Sequence, residues 1–168
     1  MVSNIINPKN MKTIPTFIVC FLLILTCSCH TPDVSSSNGG VKKQIKTATA
    51  SDRSPFSQGI EANGFLFLSG TLGTDPMTGT LAGNDVASQL TQIVKNLSDI
   101  LAEGGCTIND VVKATVFLTD MNNYATMNEA YLTLFHAPYP ARTCVEVSAL
   151  PREGALIEVE VIAACPHR

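Results

Sequence analysis

The residues best suited to chemistry lie close to the C-terminus. The run RTCVE, Arg142 to Glu146, carries a guanidinium and a thiol two residues apart, and IEVEV, Ile157 to Val161, follows with two carboxylates at the same interval. A guanidinium offers a planar fork that holds a carboxylate through two parallel N–H bonds, and a placed carboxylate can orient a water and take its proton. Strand periodicity sends Arg142, Cys144, Glu146 and Ser148 to one side and Thr143, Val145, Val147 and Ala149 to the other. In the second run Ile157, Val159, Val161 and Ala163 oppose Glu158 and Glu160. The apolar sets are expected beneath helices, which puts Arg142, Cys144, Glu146, Glu158 and Glu160 together on a helix-free face. Alternating charge on such a face also fits solvation and cross-strand pairing. Cys144 solvates poorly, however, and three carboxylates exceed one arginine, which suits a face covered by another subunit.

Other chemistries find no support. There is no GxSxG elbow for a serine nucleophile, and no histidine evidently placed to activate Cys144. His136 falls at a helix C-terminus, where a cation near the negative helix end is the plainer role. The glycine-rich stretch SGTLGTDPMTGTLAG lacks the GK[ST] of a phosphate loop and reads as turns, although amides near Gly70 could touch a ligand. Cys106, Cys144 and Cys165 form an odd, widely spaced trio that does not read as a disulfide framework, and Cys144 and Cys165 have opposite parities. No CxxC pair or i, i+4 histidine pair suggests structural zinc. From Ser51 onward 13 acidic residues face six basic ones, and the chain has no Trp. That balance argues against nucleic acid, which needs a basic face or a stacking platform.

The elements that must position these groups can be read from periodicity. Asn84 to Glu103 places Val86, Leu90, Ile93, Val94, Leu97, Ile100 and Leu101 at helical spacing, with Asn84 or Asp85 as the cap and Gly104-Gly105 as the stop. A second helix, from about Asn123 to Phe135, gathers Met127, Ala130, Tyr131, Leu134 and Phe135 on one face before Pro138 and Pro140. Phe65–Ser69 and Val111–Leu118 read as strands, so strand, helix, strand occurs twice. Arg142–Leu150 and Leu156–Ala164, joined by PREGA, are expected to pair as an antiparallel hairpin. The expected fold class is α+β, a mixed sheet with two helices on one face.

The 168-residue chain is long enough for one cored domain. Its N-terminal end differs in kind. Phe17 to Leu25 is an unbroken apolar run of nine after Lys12, followed by TCSC. That is a secretory signal layout, about half the length a membrane-spanning helix needs. Met11 before Lys12 gives a more ordinary signal and a possible true start. The ending is similar to a lipoprotein signal, with Cys29 read as the lipidated residue, Cys27 as its alternative, and a plain cleaved signal as the simpler reading. Residues 1–29 are therefore assigned to a signal peptide, 30–45 to a flexible tether and 46–168 to the cored domain. The expected location is exported and membrane-anchored, or cytosolic if the signal is not used.

Several strings line up with a family. RSPFSQG, LFLSGTLGTDPMTGTL, DVVKATVFLTDMNNYATMNEAYLTLF, YPARTCVEVSALP and IEVEVIA resemble the RidA (YjgF-type) enamine/imine deaminases over about Lys46 to Ala164. The resemblance implies a chorismate-mutase-like fold, a homotrimer with helix-free faces packed into a central barrel, and sites at the subunit interfaces. It implies hydrolysis of small 2-imino acids to 2-oxo acids and ammonia with no cofactor and no metal. By the same resemblance Arg142 binds the substrate carboxylate and Glu158 positions the attacking water. Cys144 lines the pocket, Ser69 and Gly70 give backbone contacts, and Asn128 and Phe117 add to the wall. Phe56 and Thr71 stand where the family often has Tyr and Gln, which removes a hydroxyl and an amide from the rim. A trimeric small-carboxylate-binding module without useful turnover is the alternative.

Overall fold

Helix α1, Val86–Glu103, begins where Asp85 turns extended and its carboxylate accepts from the Ser88 amide at 2.8 Å, leaving the first turn capped. It ends at Gly104, and Gly105 takes the left-handed φ of +73° that a side chain would disfavour. Residues 42–165 are described in this computed structural model. The expected signal segment and most of the tether, with Cys27 and Cys29, lie outside the described residues.

Seven strands form one mixed sheet: β1 Lys43–Ile45, β2 Gly59–Ala62, β3 Phe65–Leu68, β4 Thr71–Leu72, β5 Val111–Leu118, β6 Ala141–Glu146 and β7 Ile157–Ala164. The spatial order is β1-β2-β3-β7-β5-β6, with β4 also pairing β7. Asn63 and Gly64, both at positive φ, make the tight turn between β2 and β3. Helix α2, Tyr124–Leu134, carries the crossover between the parallel neighbours β5 and β6. Both helices cover one face of the sheet. Their Leu90, Ile93, Leu97, Leu101, Met127 and Tyr131 bury against Leu66, Leu68, Val116, Leu118, Ile157, Val159 and Val161. The expected α+β class and both helices are therefore present.

The expected hairpin is not. β7 inserts between β3 and β5, antiparallel to both, and β6 lies on the far edge of β5. The segment joining β6 to β7 is held elsewhere. Buried Gln89 on α1 donates to the carbonyls of Gly83 and Gly154 and accepts from the Leu156 amide, while Arg152 donates to the Gly79 carbonyl at 2.6 Å. These bonds draw the PREGA turn to the start of α1 and to the glycine-rich loop, away from β6. A second correction concerns the cysteines: Cys106 and Cys165 form a disulfide with Cα atoms 5.4 Å apart, leaving Cys144 as the free thiol among the described residues. The odd trio conceals a pair because β7 runs out beside the loop that closes α1.

Candidate functional site

Arg142 sits in a cradle built by one face of α2. Its Nη2 donates to Asn128 Oδ1 at 2.6 Å and, at 3.5 Å, to the Tyr124 hydroxyl; its Nη1 lies 3.7 Å from the Met127 sulfur. The guanidinium carbon stands 4.5 Å over the Tyr131 ring, and Tyr131 stacks in turn on Phe135 with centroids 4.2 Å apart. Tyr124, Met127, Asn128 and Tyr131 recur at helical spacing, so a single helix face supplies every one of these contacts. A delocalised guanidinium is weakly hydrated and tolerates an aromatic floor, as a lysine ammonium would not. Among the described residues the ion pairs are Lys43 with Glu61 and Lys46 with Asp52, so Arg142 keeps its charge without a carboxylate partner. An anion can take that place.

Cys144 follows on the same side of β6, half-buried. Burial pushes its thiol above the usual range, and the nearby Arg142 charge opposes that only in part. The thiol is thus protonated near neutral pH and serves as wall rather than nucleophile. Tyr131 is pushed up to about 12 by burial, and its hydroxyl has no hydrogen-bond partner among the described residues.

Glu158 lies elsewhere. It pairs with Phe117 across β5 and β7 and with Leu72 of β4, on the face the helices leave open. It is half-buried, and burial first, then the charge of Glu160, raises its carboxyl above the ordinary range. The carboxylate lines a cleft of about 480 Å³ together with Phe56, Gln58, Ser69, Gly70 and Thr71, a size suited to a small ligand. Gly70 is there because it must be: a Cβ at that position would fall on the Glu158 carboxylate. Ser69 donates to the Ser57 carbonyl at 2.7 Å and Thr71 to the Ser69 carbonyl at 3.1 Å, so both hydroxyls brace the loop. Phe56 presents its ring to the cleft mouth, 60% exposed.

The single helix-free face expected for Arg142, Cys144, Glu146, Glu158 and Glu160 is therefore two faces. Register pairs Ala114 with Arg142, Val116 with Cys144 and Leu118 with Glu146, all on the helix side, whereas Thr115 and Phe117 pair with Glu160 and Glu158 on the open side. Alternation gives the parity of an edge strand but not which parity meets the helices. On β6 the aromatic floor of α2 takes the arginine, and Thr143 and Val145 turn outward. On β7 the apolar set is buried as expected. Arg142, Cys144 and Asn128 cluster on one face, and Glu158, Gly70, Ser69, Thr71 and Phe56 line the cleft on the other, with Phe117 paired to Glu158. Sequence reasoning missed Tyr124 as a neighbour of Arg142 and assigned Tyr131 only to the core. The i, i+4, i+7 spacing of Tyr124, Asn128 and Tyr131 was the available signal.

A mixed sheet backed by two helices, with an arginine on one side free of any carboxylate partner among the described residues and a half-buried carboxylate in a cleft on the other, defines a small α+β domain. The family profile described as Endoribonuclease L-PSP matches residues 46–165, and the chain belongs to this family, the RidA family. A RutC family protein of Pyrococcus horikoshii is 47% identical over 109 residues, covering 65% of this chain and 86% of its own. A mouse protein named 2-iminobutanoate/2-iminopropanoate deaminase is 42% identical over 124 residues, covering 73% of this chain and 91% of its own. Among solved structures, the Rid family protein YyfA of Yersinia pestis superposes with a TM-score of 0.69 at 44% identity, over 74% of this chain and 99% of its own.

Proposed function

We propose that the chain hydrolyses reactive 2-imino acids, such as 2-iminopropanoate and 2-iminobutanoate, to 2-oxo acids and ammonia without a cofactor, as a homotrimer whose sites form between copies. One observation carries this reading: Arg142 and Glu158 stand on opposite sides of one sheet, so a ligand can meet both only where two copies join. The open face supports such joining, since Phe65 and Phe67 are each more than 40% exposed on it. In the composite site the Arg142 fork of one copy would grip the substrate carboxylate. Glu158 of another, its carboxyl raised above the ordinary range by burial and Glu160, would take a proton from the attacking water as the oxygen bonds to the imine carbon. The resulting carbinolamine gains that proton on nitrogen, and loss of ammonia, with the hydroxyl proton passing to Glu158, leaves the 2-oxo acid. A protonated imine is already electrophilic, so orientation and one base are enough. The 13-to-6 acidic balance after Ser51 disfavours a nuclease activity, whatever the family's name suggests.

We also read the chain as exported and tethered to a membrane through lipid on Cys29. The Cys106–Cys165 bond supports the export part of this reading, because such bonds persist in oxidising compartments and are rare in the cytosol.

Mixing tests the central reading. Arg142→Ala and Glu158→Gln are each expected to lose at least thirtyfold in imine hydrolysis, since a charge-assisted contact or a placed base is worth about 2 to 4 kcal/mol. Co-assembled at equal amounts, random pairing restores both groups at about one interface in four, so activity returns to about a quarter of wild type. Mixed assemblies as inactive as their parents would refute a shared site. Carboxylate binding without turnover in the wild type would instead favour the binding module, towards which the missing Phe56 hydroxyl leans.

A further inference from the structure

The Arg142 cradle has an inner and an outer tyrosine, and they differ in what they can reach. Tyr131 is the floor: its ring lies beneath the guanidinium and it is 3% exposed. Tyr124 is the rim: it is 41% exposed, its ring centroid is 5.9 Å from the guanidinium carbon, and its hydroxyl is 3.5 Å from Nη2. In that contact the guanidinium donates and the phenol oxygen accepts, so the phenol hydrogen remains available. No acceptor for it occurs among the described residues. Asn128, by contrast, spends its carbonyl on Nη2 at 2.6 Å and fixes the fork from the inner edge.

We propose that the Tyr124 hydroxyl is a second ligand-binding group, which donates to the same substrate carboxylate that Arg142 holds. This rests on the reading of Arg142 as the carboxylate anchor. Two heavy-atom donors 3.5 Å apart, one cationic and one neutral, match the spacing at which one carboxylate accepts from both. The cleft around Glu158 is rimmed at Phe56 by a ring without a hydroxyl, so the phenol beside Arg142 gives the composite site a neutral donor from the opposite half. Because the carboxylate is present in substrate, transition state and product alike, the bond strengthens binding of all three. It should therefore act on KM and not on kcat.

Tyr124→Phe tests this while keeping the ring that lies beside Arg142. With 2-iminobutanoate, KM is expected to rise about tenfold with kcat changed less than twofold. Inhibition by the product 2-oxobutanoate should weaken by the same factor, and 2-oxobutanamide, which has no carboxylate, should bind both proteins equally. KM and product inhibition within twofold of wild type would overturn the proposal, as would a fall in kcat alone. Calorimetric binding of 2-oxobutanoate to wild type, Arg142→Ala and Tyr124→Phe separates this from the deaminase reading. If the wild type binds the acid without hydrolysing any imine, and Tyr124→Phe weakens that binding, the deaminase reading fails and the role of Tyr124 stands.

Discussion

Gly70→Ala should disable the site while sparing the fold. An alanine Cβ at this position would lie 2.9 Å from Glu158 Cδ and 3.3 Å from its Cγ, and closer still to one carboxylate oxygen. The nearest neighbours all belong to a single flexible side chain, so the clash is relieved by swinging Glu158 away and no backbone has to move. Gly70 does not occupy left-handed φ, so alanine is conformationally allowed and should return about 0.4 to 1 kcal/mol through the unfolded chain. Net stability is therefore expected to stay within about 1 kcal/mol of wild type. The displaced carboxylate can no longer reach its water, and the loss of a placed base costs about 10² to 10⁴ in kcat, roughly 3 to 5 kcal/mol. The assay pairs thermal unfolding with steady-state hydrolysis of enzymatically generated 2-iminopropanoate, using Glu158→Gln as the reference. A folded Gly70→Ala protein within threefold of wild-type kcat would refute the reasoning, because Glu158 would then be dispensable or free to act from another position.

Four further outcomes are expected. Replacing Cys106 and Cys165 by serine opens a loop of 59 residues and should cost about 4 kcal/mol of stability with little effect on kcat; intact mass of the membrane-recovered protein should show a lipid-bearing chain beginning at Cys29 with the disulfide closed, and an unprocessed chain with reduced thiols would contradict export. Glu160→Gln should shift the acid limb of the pH–rate profile to lower pH. The Glu160 charge opposes ionisation of Glu158, so removing it makes the base easier to form, and a shift to higher pH would refute the assignment. The same sign governs stability. A carboxyl whose folded-state value is raised favours the folded chain while protonated and loses that contribution as pH rises through the raised value, so Glu158→Gln should be the more stable protein above it.

How far the site could be read from the chain depended on what each pattern encodes. The α1 periodicity, its Asp85 cap and its Gly104 stop are local, and they fold as the sequence suggests. Arg142 and Glu158 stand out in the sequence as candidates because few residue types suit an anion fork or a placed base. Their relative placement was not legible, because it depends on which strand fills the gap between β3 and β5. Two strands adjacent in sequence and joined through PREGA look like a hairpin, yet β5 exposes an edge on each side and both are filled, by β7 and by β6. The bonds that direct this run through Gln89, a helical residue whose side chain gives no local sign that it clasps a turn 65 residues away. The Cys106–Cys165 pairing was hidden for the same reason, since only the final register brings the end of β7 to the loop after α1.

The separation of Arg142 from Glu158 within one copy has a physical consequence for how such a site can work. A guanidinium and a carboxylate brought within contact of one another in one copy would pair, and pairing would lower the carboxyl and occupy the fork. Here burial and Glu160 keep the Glu158 carboxyl raised, and Asn128 and Tyr131 hold the guanidinium from beneath without neutralising it. Each group is thereby organised on its own face, and in the shared site proposed above a substrate carboxylate would be the first anion to reach the arginine. On that proposal, joining two copies would supply the water-excluding wall that neither face has alone. A carboxylate substrate held between the two faces would keep the fork engaged and the base unpaired, so the proposed chemistry ties activity to oligomer formation.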